Sequence, residues 1–312
     1  MATQDVNAAG AQPVARLSAS RRRLGEDGVK VFLGLCALIS IATTVGIVIA
    51  LLEPAIQFFR LIDFADFITG TRWAPLFKPA DFGVLPLIVG TFSVTIWAMV
   101  VFIPFGLGAA VYLSEYARPG VRKVLKPILE LLAGIPTVVF GYFALLFVTP
   151  LLQDIGFSVG PFNALSAGLV VGVMLIPTVA SISEDAMSAV PGDLRGGAYA
   201  LGSTRLQLST RIVVPAAISG IVASFILAIS RAVGETMIVL IAAGTLPSLS
   251  FSPLAPVETM TAFIGATGQG DTPTGSIEYK TIFAVGLTLF VMTLVMNVIS
   301  IRLVRKYREV YE

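Results

Sequence analysis

The sequence predicts an all-α, polytopic membrane protein with six transmembrane helices. Composition is the first reason: of 312 residues, 56% are hydrophobic and only 13% are charged, about half the ~25% charge of a soluble domain. With a mean hydropathy of +0.89, the chain lacks the charge that a soluble surface needs. The second reason is length. Five apolar stretches, at residues 31–52, 82–114, 131–153, 155–183 and 281–301, are uncharged over the roughly 20 residues that cross a bilayer. The third is the clustering of Lys and Arg between them.

The first stretch follows Arg21, Arg22 and Arg23, as a signal peptide would. It is too long for an apolar signal core and ends in Glu53-Pro54 rather than a small-residue cleavage site, so it is expected to stay as an anchor. Ahead of it, residues 1–28 are expected to form a disordered cytoplasmic tail, rich at its start in Ala, Gln and Ser, and residues 29–312 the membrane domain. The sixth span is residues 212–246, apolar except for Arg231 and Glu235. As one helix it would be about 50 Å long, so it must tilt, bend or protrude. Splitting it at Arg231–Glu235 would give a seventh span and carry the basic C-terminus across the membrane. Sixteen of the 21 Lys and Arg residues fall on one side of a six-span layout. That side is read as cytoplasmic, with both termini on it.

Residues 53–86 carry Phe58, Phe59, Phe64, Phe67, Trp73 and Phe77 and read as a segment lying at the headgroups. Residues 245–280 mix Ser, Pro, Thr and Gly and read as an outward-facing loop or lid. Pro104, Pro136, Pro177, Gly168 and Gly172 allow kinks and close helix contact within the spans.

Several chemistries are excluded or weakened. Without histidine there is no Ser-His-Asp or Cys-His catalysis and no His-based metal site or proton relay. Cys36 is the lone cysteine, cannot form an intrachain disulfide, and reads as a small buried hydrophobe. A net charge of +2 gives no footprint for nucleic acid. Gly268-Gln269-Gly270-Asp271 has the form of an intramembrane aspartyl protease motif, but no Tyr-Asp dipeptide supplies a second aspartate. A self-contained secondary transporter is disfavoured by few intramembrane carboxylates and no clear inverted repeat. With no Gly-Lys pair there is no phosphate-binding loop for ATP, so any ATP hydrolysis belongs to a partner. The chain itself reads as no enzyme.

Two constellations remain. Residues 184–211 are the least membrane-like part of the second half. A short helix beginning near Asp193 and Leu194, a turn at Gly202 and a resumed apolar pattern at Leu206 and Leu208 suggest helix, turn, helix, either a plain loop or a docking element. The spacing Gly196-Gly197-Ala198, Gly202, Ile212, Val214-Pro215 resembles the EAA loop of permease subunits in ATP-binding-cassette importers. The resemblance implies a coupling helix seated in a groove of a cytoplasmic ATPase. Gly196 stands where that family usually has Glu, and Gly197 where Ala is common. This removes one expected salt bridge and loosens the helix by about 1 kcal/mol per glycine; Asp193, Arg195 or Arg205 would then supply the polar contact.

The second constellation is Ser230-Arg231-Ala232-Val233-Gly234-Glu235-Thr236-Met237. On one helix Arg231 and Glu235 share a face and can pair. Each charge costs about 2.5–3.5 kcal/mol at mid-bilayer, so the pair must face protein or a watery path. The octapeptide resembles the signature of the permeases of phosphate-specific importers, as do Trp73-Ala74-Pro75, Gly90-Thr91, Leu113-Ser114-Glu115-Tyr116 and the run from Glu130 to Thr137. The resemblance covers about residues 73–303. It implies a type I importer permease fold in the plasma (inner) membrane of a bacterium. It further implies a heterodimer with a second permease subunit, two copies of an ATP-binding subunit carrying ATP and Mg, and an extracytoplasmic phosphate-binding protein. Ser230, Arg231, Glu235 and Thr236 would then line the path of inorganic phosphate. Arg231 would donate to the oxyanion, while Glu235 would hold Arg231 when the path is empty and accept a hydrogen bond from a protonated phosphate.

Overall fold

The computed structural model describes residues 24–270 and 272–306. The chain divides into two units, Met1–Ala50 and Leu51–Glu312. Helix α1 (Leu24–Phe59) is apolar all round, as a helix in lipid must be. It takes in residues 24–28 of the expected tail, because Glu26 and Asp27 in its first turn suit the positive end of a helix dipole. The rest of that tail, residues 1–23, and Asp271 of the Gly-x-Gly-Asp sequence lie outside the described residues. Cys36 is exposed on α1 rather than buried.

In the second unit α2 (Phe64–Thr69) leads to a short antiparallel pair, β1 (Trp73–Ala74) and β2 (Asp81–Phe82), with Trp73 opposite Phe82. This segment is not interfacial throughout. Phe58, Phe67 and Trp73 are buried and join Phe263 in edge-to-face contacts with ring centroids 4.9–6.3 Å apart. Aromatic rings that can interlock edge to face gain from packing together as well as from leaving water. Phe64 and Phe77 do remain exposed.

Helices α3 (Leu85–Val111) and α7 (Ala164–Ser188) form the centre. They approach closely because Gly168 and Gly172 have no side chains: a Cβ on either would lie 2.6 Å from the Cβ of Trp97 or Val101 on α3. Between them run α4 (Pro119–Ala133), α5 (Thr137–Phe143) and α6 (Thr149–Asp154); α3 ends, and α5 joins α6, through π-helical turns at Tyr112–Tyr116 and Ala144–Val148. Then come α8 (Gly192–Ala200), α9 (Arg205–Leu208), α10 (Val214–Ala216), α11 (Ile218–Val233), α12 (Met237–Ala242), α13 (Met260–Gly268) and α14 (Ile277–Lys306).

Five helical segments are long and apolar enough to cross a membrane: Glu26–Phe59, Leu85–Tyr116, Thr137–Asp154, Ala164–Ser188 and Ile277–Arg302. Among the described residues, a bent pair, Arg205–Ala216 and Ile218–Val233, meeting at 72°, makes a sixth where the two parts count as one span. A π-helical turn at Ser209–Val213 followed by Pro215 accounts for the bend, since both disturb the regular helical ladder. A second break follows α11 at Gly234, and α12, with six residues, is too short for a further crossing.

The 245–280 segment is not a simple surface lid. Val257, Glu258, Thr259, Met260, Thr261, Ala262 and Phe263 are all buried. Its backbone is satisfied by the surrounding helices: Val257 N–H donates to Ala243 O at 3.0 Å, and Pro253 O and Ala255 O accept from Leu165 and Ala164 at 2.8 and 3.1 Å. Gly90 lets it approach α3, because a methyl group there would overlap the Glu258 carbonyl oxygen; next door, Met260 N–H donates to Thr91 Oγ1 at 3.1 Å.

Candidate functional site: a coupling element and a broken span

The expected helix, turn, helix is present. Helix α8 ends at Ala200, Gly202 takes φ +80°, and Thr204 and Gln207 close a reciprocal capping box on α9. Ala198 and Leu208 are the anchors, buried with Ala110, Met187, Val213 and Ile221. The opposite surface is open. Asp193, Gly196, Gly197, Arg205 and Pro215 are exposed, Leu201 is 89% exposed, and a Cβ on Gly196 or Gly197 would meet nothing within 4 Å.

Arg195 differs from the expectation placed on it. Its guanidinium turns inward, donating to Val190 O at 2.5 Å, Met187 O at 2.8 Å and Glu115 Oε1 at 3.0 Å. Carbonyls at the end of α7 attract the nearest cation, so Arg195 ties α8 to that end and to Glu115. A second ionic cluster lies beside it. Glu184 on α7, 1% exposed, accepts from Arg122 and, at 2.9 Å, from Lys126, both on α4. Lys126 also reaches Asp185 at 2.9 Å. These links are not legible in the sequence, because their partners sit 58–80 positions apart.

At the broken span the expected Arg231–Glu235 pair does not form. Gly234 ends α11 before Glu235 is reached, so the i, i+4 relationship is lost. Glu235, 8% exposed, caps α12 instead: its Oε1 accepts from Met237 N–H at 3.0 Å and Ile238 N–H at 3.2 Å. Amides at a helix start satisfy a carboxylate as a cation would. Thr261 Oγ1 donates to Glu235 O at 2.6 Å, locking the break to α13.

Arg231 is exposed in the chain and donates to Thr178 Oγ1 on α7 at 3.2 Å. Ser230 donates to Asn297 Oδ1 on α14 at 3.1 Å, and Thr236 to Gly234 O at 3.3 Å. Four of the residues singled out in the sequence therefore surround one interruption, with a guanidinium paired to no carboxylate among the described residues. Sequence reasoning missed Glu258, a buried carboxyl outside the spans that desolvation pushes up to about 8; its neighbours Thr and Met gave no cue.

The five long apolar helices and the bent pair define a multi-pass membrane protein. Residues 102–309 match the model of the binding-protein-dependent transport system inner membrane component, and the chain belongs to that family. It is thus the permease component of an ATP-binding-cassette importer, not itself an enzyme, and works with ATPase subunits and a periplasmic binding protein. The chain is 36% identical to the probable ABC transporter permease protein YqgH of Bacillus subtilis, over 95% of this chain and 96% of that one. It is 30% identical to the phosphate transport system permease protein PstC of Mesorhizobium japonicum, over 82% of each. Among solved structures, a bacterial importer of the acidic polysaccharide alginate matches with a TM-score of 0.61 at 18% identity, covering 92% of this chain and all of that one. This last likeness is one of fold.

Proposed function

We propose that the chain is the PstC-type permease subunit of an ATP-driven phosphate importer. It forms half of the translocation path beside a second permease subunit, above two copies of a cytoplasmic ATPase and below an extracytoplasmic phosphate-binding protein. Both termini are cytoplasmic, following the bias of Lys and Arg. The observation that carries the substrate reading is the exposed Arg231 guanidinium at the broken span, held by one threonine and, among the described residues, by no acid. Relatives named as phosphate permeases support it.

Arg231 presents parallel N–H donors to an oxyanion and offsets its desolvation. One arginine makes a weak site, and weakness lets the ion leave. Glu235 positions the break through the α12 amides, and Ser230 and Thr236 flank the path. At the cytoplasmic end α8 seats in the ATPase, with Ala198 and Arg195 fixing it from behind, the bare Gly196-Gly197 surface and Gly202 turn facing the groove, Pro215 opening the bent span, and Asp193 and Arg205 left for polar contact.

Co-expression with ATPase and second permease subunits, then reconstitution in liposomes, tests the reading. The expected result is ATP-driven uptake of phosphate in preference to sulfate, lost in an assembled Arg231→Ala complex. Uptake by the purified chain alone under an ion gradient overturns it.

A further inference from the structure

At the end of α3 remote from Glu115 lies a cavity of about 390 Å³, whose walls include Trp73, Phe77, Thr245, Glu258, Phe263 and Thr267. Glu258 is 7% exposed, and its carboxyl makes no hydrogen bond or ion pair with any described residue. It is the sole titratable side chain among the described lining residues. The Trp73 indole N–H is also buried without an acceptor, so the site is unfinished twice over. The backbone beneath it is fixed by the Gly90 contact and the Thr91 hydrogen bond.

A carboxyl confined among aromatic rings either keeps its proton or meets a cation. The walls favour a cation: ring faces attract one, and apolar surfaces cover the stem of a long basic side chain. An oxyanion fits badly, since no described lining residue is basic. At the rim Leu76 and Phe77 are 56% and 71% exposed, apolar surface of the kind that a protein partner covers. We propose that this cavity receives a lysine or arginine side chain of the extracytoplasmic binding protein, with Glu258 as its counter-charge. The proposal rests on the importer reading and on the orientation given above, which puts this end outside.

The test uses the assembled complex in nanodiscs with its purified binding protein. Dicyclohexylcarbodiimide, which adds to protonated carboxyls in apolar surroundings, should label Glu258 in the free complex, and saturating binding protein should block the label. Glu258→Gln should weaken docking roughly 30-fold or more, as expected for truncating one side of a buried charge pair, and Glu258→Lys should abolish it in a complex that still assembles. Docking of Glu258→Lys at wild-type affinity overturns the proposal, as does protection of Glu258 from labelling by inorganic phosphate alone. The labelling arm uses the wild-type chain, so it stands even if a variant fails to assemble. Failure of the phosphate reading shows separately, as a wild-type complex that docks the binding protein but is not stimulated by phosphate.

Discussion

Arg195 of α8 and Glu115 at the foot of α3 meet at 3.0 Å across 80 positions of sequence. The Glu115 side chain is 6% exposed and the Arg195 side chain 23%, so the pair is shielded from screening more than a surface bridge. It joins α8 to a span whose other end lies under the Glu258 cavity.

Removing Arg195 leaves the Glu115 carboxylate with the Ser114 hydroxyl but no cation, and takes a donor from the Val190 and Met187 carbonyls. Breaking a buried pair costs about 3–5 kcal/mol, and partial exposure of the arginine reduces this to about 2 kcal/mol here. Arg195→Ala should therefore melt earlier and transport less phosphate per ATP hydrolysed. Arg195→Lys keeps the charge but cannot serve Glu115 and both carbonyls together, so it should fall between. Thermal melts and a transport-to-hydrolysis ratio check both; an unchanged ratio in Arg195→Ala removes the arginine from coupling.

The glycines of α8 and of the turn after it should behave in opposite ways. Gly196→Ala and Gly197→Ala meet open space and should each stabilise α8 by about 1 kcal/mol. Gly202 has equal room, but its φ of +80° makes Gly202→Ala unfavourable by about 1–2 kcal/mol. A bulky charge at Gly202 should also uncouple ATP hydrolysis from transport. Melting temperatures of the single variants and coupling assays on the assembled complex report each effect.

The spans were legible because uncharged length is a local property of the chain, and the turn at Gly202 because positive φ has a residue preference. What escaped was set by tertiary contact. Phe58, Phe67 and Trp73 have the composition of a headgroup belt, and residues far along the chain, Met260, Phe263, Ala284 and Val285, make them a core. Residues 253–263 look like a polar loop until Gly90 and Thr91 supply the surface that receives them. The Arg231–Glu235 spacing reads as a helical pair, yet the glycine between them ends the helix, and amides outcompete the guanidinium for the carboxylate.

That competition predicts separable phenotypes. Arg231→Ala removes an exposed side chain with one neutral hydrogen bond; stability should change by less than about 1 kcal/mol while phosphate uptake is lost. Glu235→Gln retains an oxygen for the α12 amides and should keep uptake and the preference for phosphate over sulfate. Glu235→Ala removes the cap, at a cost of about 0.5–2 kcal/mol, and should reduce uptake by loosening the break. Uptake assays beside thermal melts separate the three; loss of uptake in a stable Glu235→Gln complex would give the carboxylate a direct role on the ion.

Glu258 makes stability depend on pH in a defined direction. Burial raises its carboxyl from 4.5 to about 8, so the folded chain holds a proton that the unfolded chain releases. Below about pH 4.5 both states are protonated and the group contributes nothing. Between about 4.5 and 8 the unfolded state gains by ionising, so stability falls as pH rises, and above about 8 the loss levels off. The full shift corresponds to at most about 5 kcal/mol. Glu258→Gln should therefore melt at a temperature nearer to wild type at pH 5 and increasingly above it towards pH 8. Saturating binding protein should shrink the gap at pH 8, because a basic side chain in the cavity stabilises the ionised carboxylate. Melts of the two proteins across this range check the slope; parallel curves would mean that Glu258 is solvated in the assembled complex.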